Sequence, residues 1–266
     1  MSTASSSRAV PEPSATPPTA AGVPWSPWLG VVLVIVSYYG AQFLAGIIIS
    51  LYPLLRHWTS AQATDWLNNS VGAQFVYILL AEAFTLAAIY WFLKRYKLGF
   101  TAIGLRRPRW GDALRGLAAV PVYYLLYLLT VGVVSHFVPA LNVNQSQEIG
   151  FTNVHGAAAL ILTAISLVIL PPITEEIMVR GFLYSSLKKG LPTVGAVIVT
   201  SAIFASAHLP EGGAAGPLYI AALDTFVLSL VLIYLREKTG SLWASITLHA
   251  IKNGFAFVAL FILHAH

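Results

Sequence analysis

The sequence predicts an all-α fold, a polytopic bundle of about seven membrane-spanning helices. Three observations lead there. Of the 266 residues, 57% are hydrophobic and 9% are charged, with a mean hydropathy of +0.75; a soluble domain has about a quarter of its residues charged. The apolar residues fall in runs of roughly 20, the length that crosses a hydrocarbon layer. The basic residues gather in alternate loops between those runs. A chain of this length has space for six to eight spans and none for a second large soluble domain. Cysteine is absent, which removes disulfides, thiolate catalysis and cysteine-based metal sites.

Residues 1–25 read as a disordered cytoplasmic tail, rich in Ser, Ala, Pro and Thr up to about Gly22 and charged only at Arg8 and Glu12. A signal peptide needs a short apolar run after a basic start, and here the first long apolar run begins near Trp28. Residues 26–140 form an N-terminal group of spans with a basic cytoplasmic loop. Residues 155–264 form the second group, the expected catalytic core. The spans are drawn at Trp28–Tyr52, Val71–Leu93, Ala113–Val138, His155–Leu187, Val194–His208, Pro217–Leu235 and Leu242–Leu263. Pro171-Pro172 interrupts the fourth, which is either one kinked helix or two pieces. Trp28, Tyr52, Trp91, Trp110 and Trp243 stand near span ends, where interfacial aromatic anchors sit.

Charge orients the bundle. The second loop carries Lys94, Arg95, Lys97, Arg106, Arg107, Arg109 and Arg115; Lys188 and Lys189 follow the fourth span, Arg236 and Lys238 the sixth. The alternate loops hold Arg56, Glu148 and Glu211. Seven spans put every basic loop on one side, and the positive-inside rule makes that side cytoplasmic. The N-terminus is then cytoplasmic, in a multi-pass protein of the bacterial cytoplasmic membrane. The sequence pI near 9.5 therefore reports topology and contact with the lipid bilayer, and no nucleic-acid partner is expected.

Ionisable groups inside spans cost several kcal/mol and need a partner or a purpose. Glu82, Glu175, Glu176, Arg180, His208, Asp224, His249, Lys252 and Asn253 occupy such positions, all but Glu82 in the second half. Glu176 and Arg180 are four apart and can pair along one helix face, which makes them structural support and leaves Glu175 over. Taken singly, His208 reads as a hydrogen-bonded core residue, and His249 with Asn253 as a helix-packing pair. Depth argues otherwise. Counted at 1.5 Å per residue from the basic edge, Glu175, His208, His249 and Asn253 lie about 20, 22, 14 and 20 Å in. Independent staples have no reason to agree in depth, whereas a hydrolytic site requires such convergence.

Two chemistries fit. Glu175, His208 and His249 could hold zinc, two histidines and a carboxylate plus water being a catalytic zinc pattern. In the metal-free form, Glu175 takes a proton from water with His208, while His249 and Asn253 donate to the developing oxyanion. Asparagine is a poor zinc ligand, which tilts the balance toward the second form. Asp224 and Lys252 are read as a structural pair across spans.

These residues resemble a known family. Glu175-Glu176-Ile177-Met178-Val179-Arg180 is similar to the EExxxR motif of the CPBP family, the CAAX-protease and bacteriocin-processing intramembrane proteases also called the Abi family. Phe204 to His208 is similar to its FxxxH, and His249 to Asn253 to its HxxxN. The lead-in from Thr239 to Leu248 is also similar, so the resemblance runs from about Leu160 to Phe257. It implies an all-helical membrane fold and an intramembrane endopeptidase related to the type II CAAX prenyl proteases, acting on membrane-associated peptide or protein substrates. It implies that Glu175 and His208 activate water and that His249 and Asn253 stabilise the oxyanion, or, in a metalloprotease reading, that His249 is a ligand. Met178-Val179 stands where an aromatic is commoner, Ser229 where glycine is frequent, and Lys252 and Asp224 are added charges. A non-catalytic bacteriocin-immunity or scaffold protein of the same fold is the alternative, which a lost motif residue would favour; none is lost. A proton-coupled transporter would show repeated halves, and these are not visible.

Overall fold

The computed structural model describes residues 22–145, 147 and 149–264. Of the expected tail, residues 1–21 lie outside the described residues. Its last residue, Trp25, belongs to the core: it is 2% exposed, donates to Ser186 Oγ at 2.7 Å and stacks on Phe182. Indole is large and apolar with one donor, so it buries well wherever that N–H is matched.

Seven helices are long and apolar enough to cross a membrane, and among the described residues there is no strand. They are α1 (Pro27–Leu55), α3 (Val71–Arg95), α4 (Trp110–Phe137), α5 (Gly156–Gly190), α6 (Thr193–Gly213), α7 (Tyr219–Thr239) and α8 (Trp243–Ile262). Each lies within a few residues of a span drawn from the sequence. The helix not foreseen is α2 (Ser60–Asn69). It is too polar to register as an apolar run and buries nothing. A capping box starts it, Thr59 Oγ1 accepting from Gln62 N and Thr59 N donating to Gln62 Oε1. Trp66 of α2, Trp58 and Tyr52 form an aromatic cluster at this end of the bundle.

The fourth span is one continuous helical path. Two wide π-type turns, Ile165–Ile169 and Glu176–Leu183, bracket the proline pair. Proline removes helical donors; the chain absorbs the loss by widening the helix and does not break. At 35 residues α5 is about 50 Å long, more than the roughly 30 Å hydrocarbon layer needs.

The second wide turn is wholly buried, every residue from Glu176 to Leu183. Ile177, Met178, Val179, Phe182 and Leu183 form the main core with residues of α1, α3, α6 and α8. A second core joins α4, α7 and α8 around Val120, Tyr123, Leu228, Leu232 and Leu248. Gly116 lets α4 lie against the start of α8, since a Cβ there would meet Ala244 O at 2.6 Å. The two cores meet at α8, and Glu175, Glu176 and Arg180 lie on α5, His249, Lys252 and Asn253 on α8, His208 on α6 and Asp224 on α7.

Candidate active site

Lipid offers no partners to a charge, so polar groups at mid-membrane must satisfy one another. Glu176 and Arg180 pair at 2.8 Å, with both side chains fully buried. The face of the Arg180 guanidinium lies 4.2 Å from the Phe204 ring centroid, a cation–π contact strengthened by desolvation. The same Glu176 oxygen that takes Arg180 also accepts from His249 Nδ1 at 3.0 Å. Glu176 and Arg180 therefore do more than staple their own helix: they fix the imidazole of α8.

With Nδ1 tied to Glu176, His249 turns Nε2 toward Glu175, 3.7 Å from its Oε2. That distance is too long for a direct hydrogen bond. It leaves Glu175, the acid without a basic partner in its own motif, facing a cavity that neither residue fills. The cavity measures about 220 Å³, and Glu175, His208, His249 and Asn253 all line it. The convergence expected from depth along three spans is present.

His208 comes from the end of α6. Its Nδ1 lies 2.9 Å from Phe204 O. A carbonyl only accepts, so this nitrogen carries a proton, and in the neutral ring Nε2 presents its lone pair. Phe204 thus serves twice, its ring as a platform for Arg180 and its carbonyl to set the His208 tautomer; it also packs edge-on against both histidines.

Asn253 is held by a consequence of the prolines. The carbonyl of Leu167 would accept from residue 171 in an α turn and from residue 172 in a π turn. Both are proline, and Leu170 N bonds Ile165 O. Asn253 Nδ2 supplies the missing donor at 3.0 Å. One of its amide hydrogens is so committed; the other and the carbonyl oxygen stay available to the cavity.

The expected Asp224–Lys252 pair is formed at 3.0 Å, and Tyr123 donates its hydroxyl to Asp224. Both charges line the cavity. Glu82 of α3 is not among the residues that line it. Glu211, read from sequence as a loop acid, lies 3.9 Å from His208 Nε2 and accepts from Gln147 at 2.6 Å. Its three-residue spacing from His208 was the only available hint, because no apolar periodicity marks the tight turn that carries it.

For the metal form, Glu175, His208 and His249 need to approach a common point. Among the described residues no three His, Asp or Glu side chains are grouped so as to share an ion. Nδ1 of both histidines is engaged with protein, which leaves Nε2 of each as the nitrogen that could hold an ion, but the trio as placed is not grouped to share one.

Residues 157–255 match the family model described as Type II CAAX prenyl endopeptidase Rce1-like. The match encloses Glu175, His208, His249 and Asn253. Over that stretch the chain is similar to the type II CAAX prenyl endopeptidases, which supports the CPBP, or CAAX-protease, family that the three motifs resemble, a family of proteases. No curated protein and no solved structure matches the chain.

Arg180→Ala removes one half of a buried pair and the anchor of His249, a loss of about 3–5 kcal/mol. The expected result is a marked fall in detergent-extractable folded protein, measured by fluorescence-detected size exclusion; unchanged yield and melting temperature count against the anchoring role. In the metal-free form, purified protein is expected to hold no stoichiometric zinc. Elemental analysis finding one tightly bound zinc per chain, lost in His249→Ala, makes Glu175, His208 and His249 ligands.

Proposed function

We propose that the protein is an intramembrane endopeptidase that hydrolyses peptide bonds of membrane-associated protein or peptide substrates. The observation that carries this reading is the single cavity lined by Glu175, His208, His249 and Asn253 from three helices. The Rce1-like match supports it at the level of CAAX-protease-like function.

The chemistry follows from which atoms are free. Glu175 and the unprotonated Nε2 of His208 are the groups able to hold a water and take its proton as oxygen attacks the peptide carbonyl. The carbonyl oxygen becomes an oxyanion, and the remaining amide hydrogen of Asn253 is a donor for it. His249 can donate only from Nε2, since Nδ1 is committed, so it must carry a second proton to do so. The proton taken from water then passes to the leaving amine. Burial supplies the low dielectric in which such contacts matter.

Glu175→Gln keeps size and hydrogen-bonding capacity but removes the base. We expect wild-type abundance with cleavage reduced by a hundredfold or more, on the order of a lost general base. Proteomics of membrane peptides from wild-type against Glu175→Gln cells reads this and names substrates. Identical peptide profiles, with both proteins at equal abundance, would favour the immunity or scaffold reading instead.

The loops rich in Lys and Arg are placed on the cytoplasmic side, with the N-terminus beside them. The chain has no cysteine, so single cysteines report cleanly. Ala61→Cys on exposed α2 is expected to react with an impermeant thiol reagent in whole cells, and Lys189→Cys only after permeabilisation; the reverse pattern inverts the topology.

A further inference from the structure

We propose that the basic end of the bundle carries a defined binding site for the phosphate headgroup of an anionic lipid, in a hollow where the start of α4 and the junction of α7 with α8 meet. The hollow is lined by Arg106, Arg107, Arg109, Arg115 and Lys238, with Asp112 as its acid. Asp112 is taken by Arg115 at 3.5 Å. Among the described residues no ion pair engages Arg106, Arg107, Arg109 or Lys238. Four uncompensated cations around one concavity repel one another, and a phosphate relieves that repulsion with the geometry guanidinium groups match best.

Topology alone asks for basic residues on this side, scattered in any manner. Here specific bonds draw them together from segments more than a hundred residues apart. Trp243 Nε1 donates to Arg106 O at 2.6 Å, and Leu242 N to Gly104 O at 3.0 Å. Gly240, which ends α7 with φ +64, has no Cβ, and the Arg106 guanidinium fills the place a Cβ would take. The basic loop is thereby pinned over the α7–α8 junction.

A free phosphate would need only this charge. A lipid needs an apolar track as well, and one is present. Trp110, Leu114 and Leu117 are 89%, 63% and 55% exposed and, spaced by four and three, run down one face of α4. Gly111 and Arg115, on the adjoining face, line the hollow. A headgroup seated there would lay an acyl chain along Trp110, Leu114 and Leu117.

The test uses the full-length chain in detergent, with lipid retention read by native mass spectrometry. The probes are phosphatidylglycerol, phosphatidylcholine of the same acyl chains, and inorganic phosphate. Wild type is expected to retain phosphatidylglycerol, not phosphatidylcholine, and inorganic phosphate at equal concentration is expected not to displace it. The combined variant Arg107→Gln, Arg109→Gln, Lys238→Gln is expected to weaken retention roughly a hundredfold, each basic group contributing on the order of fivefold. Lys94→Gln, Arg95→Gln, Lys97→Gln removes the same charge outside the hollow and is expected to leave retention unchanged. Should the combined variant not accumulate, Arg107→Gln and Lys238→Gln are measured singly, each expected to weaken retention about fivefold. Equal losses in the two triple variants, or no effect of the single ones, reduce the attraction to diffuse charge and overturn the site. Equal retention of both lipids, or displacement by inorganic phosphate, overturns the lipid assignment.

Discussion

The arrangement depends on one buried contact, the Glu176–Arg180 ion pair. Both side chains are inaccessible, and two charges removed from water at this depth are costly unless their geometry is good and other groups join them. Three contacts go part of the way, while Glu176 Oε2 and Arg180 Nε and Nη2 have no hydrogen-bond partner among the described residues. Arg180 donates to Glu176, the Phe204 ring covers the guanidinium face, and His249 takes the same carboxylate oxygen. Four residues from three helices thereby become mutually dependent, and the imidazole of α8 acquires a fixed direction. The wide turn Glu176–Leu183 gives this unit an entirely buried setting.

The proline pair works to the same end by removing bonds. Two adjacent prolines leave the Leu167 carbonyl without a helical donor in either register, and an unmatched carbonyl in a lipid phase is costly. Asn253 fills the vacancy and ties α8 to α5 a second time, one turn beyond His249. His249 and Asn253 are therefore held to one helix at two points, on either side of Glu175. A cavity wall built from paired groups moves little, and catalysis by positioned dipoles relies on that rigidity. Asp224 and Lys252, which also line the cavity, are paired by the same rule, with Tyr123 donating to Asp224.

Both ends of the α7–α8 junction matter for this geometry. Toward mid-membrane it presents His249 and Asn253; at its start Trp243 and Leu242 bond the basic loop. The same helix links the cavity to the membrane edge, and a lipid seated at that edge would touch the element that carries half of the site.

Sequence alone was enough for the spans, because a span is a one-dimensional property: about 20 apolar residues between polar ends. It was also enough to single out Glu175, His208, His249 and Asn253, because polar residues are rare in lipid and these four share one depth, and to pair Glu176 with Arg180 by their spacing. The Asp224–Lys252 pair was legible for the same reason. Helix α2 was not, since its stability rests on a cap and not on apolar content, and Trp25 was passed over because a lone aromatic after a low-complexity stretch has no period. Only the tertiary structure decided which acid each base serves. In sequence, Glu176 could be matched only to Arg180, four residues on; in space, its oxygen is shared with an imidazole 73 residues away. Asn253 bonding Leu167 was likewise beyond reach, although the prolines that create the need are plain in the chain. A sequence shows which groups need a partner; partners on other helices are set by packing angles and helix register, which the chain order does not contain.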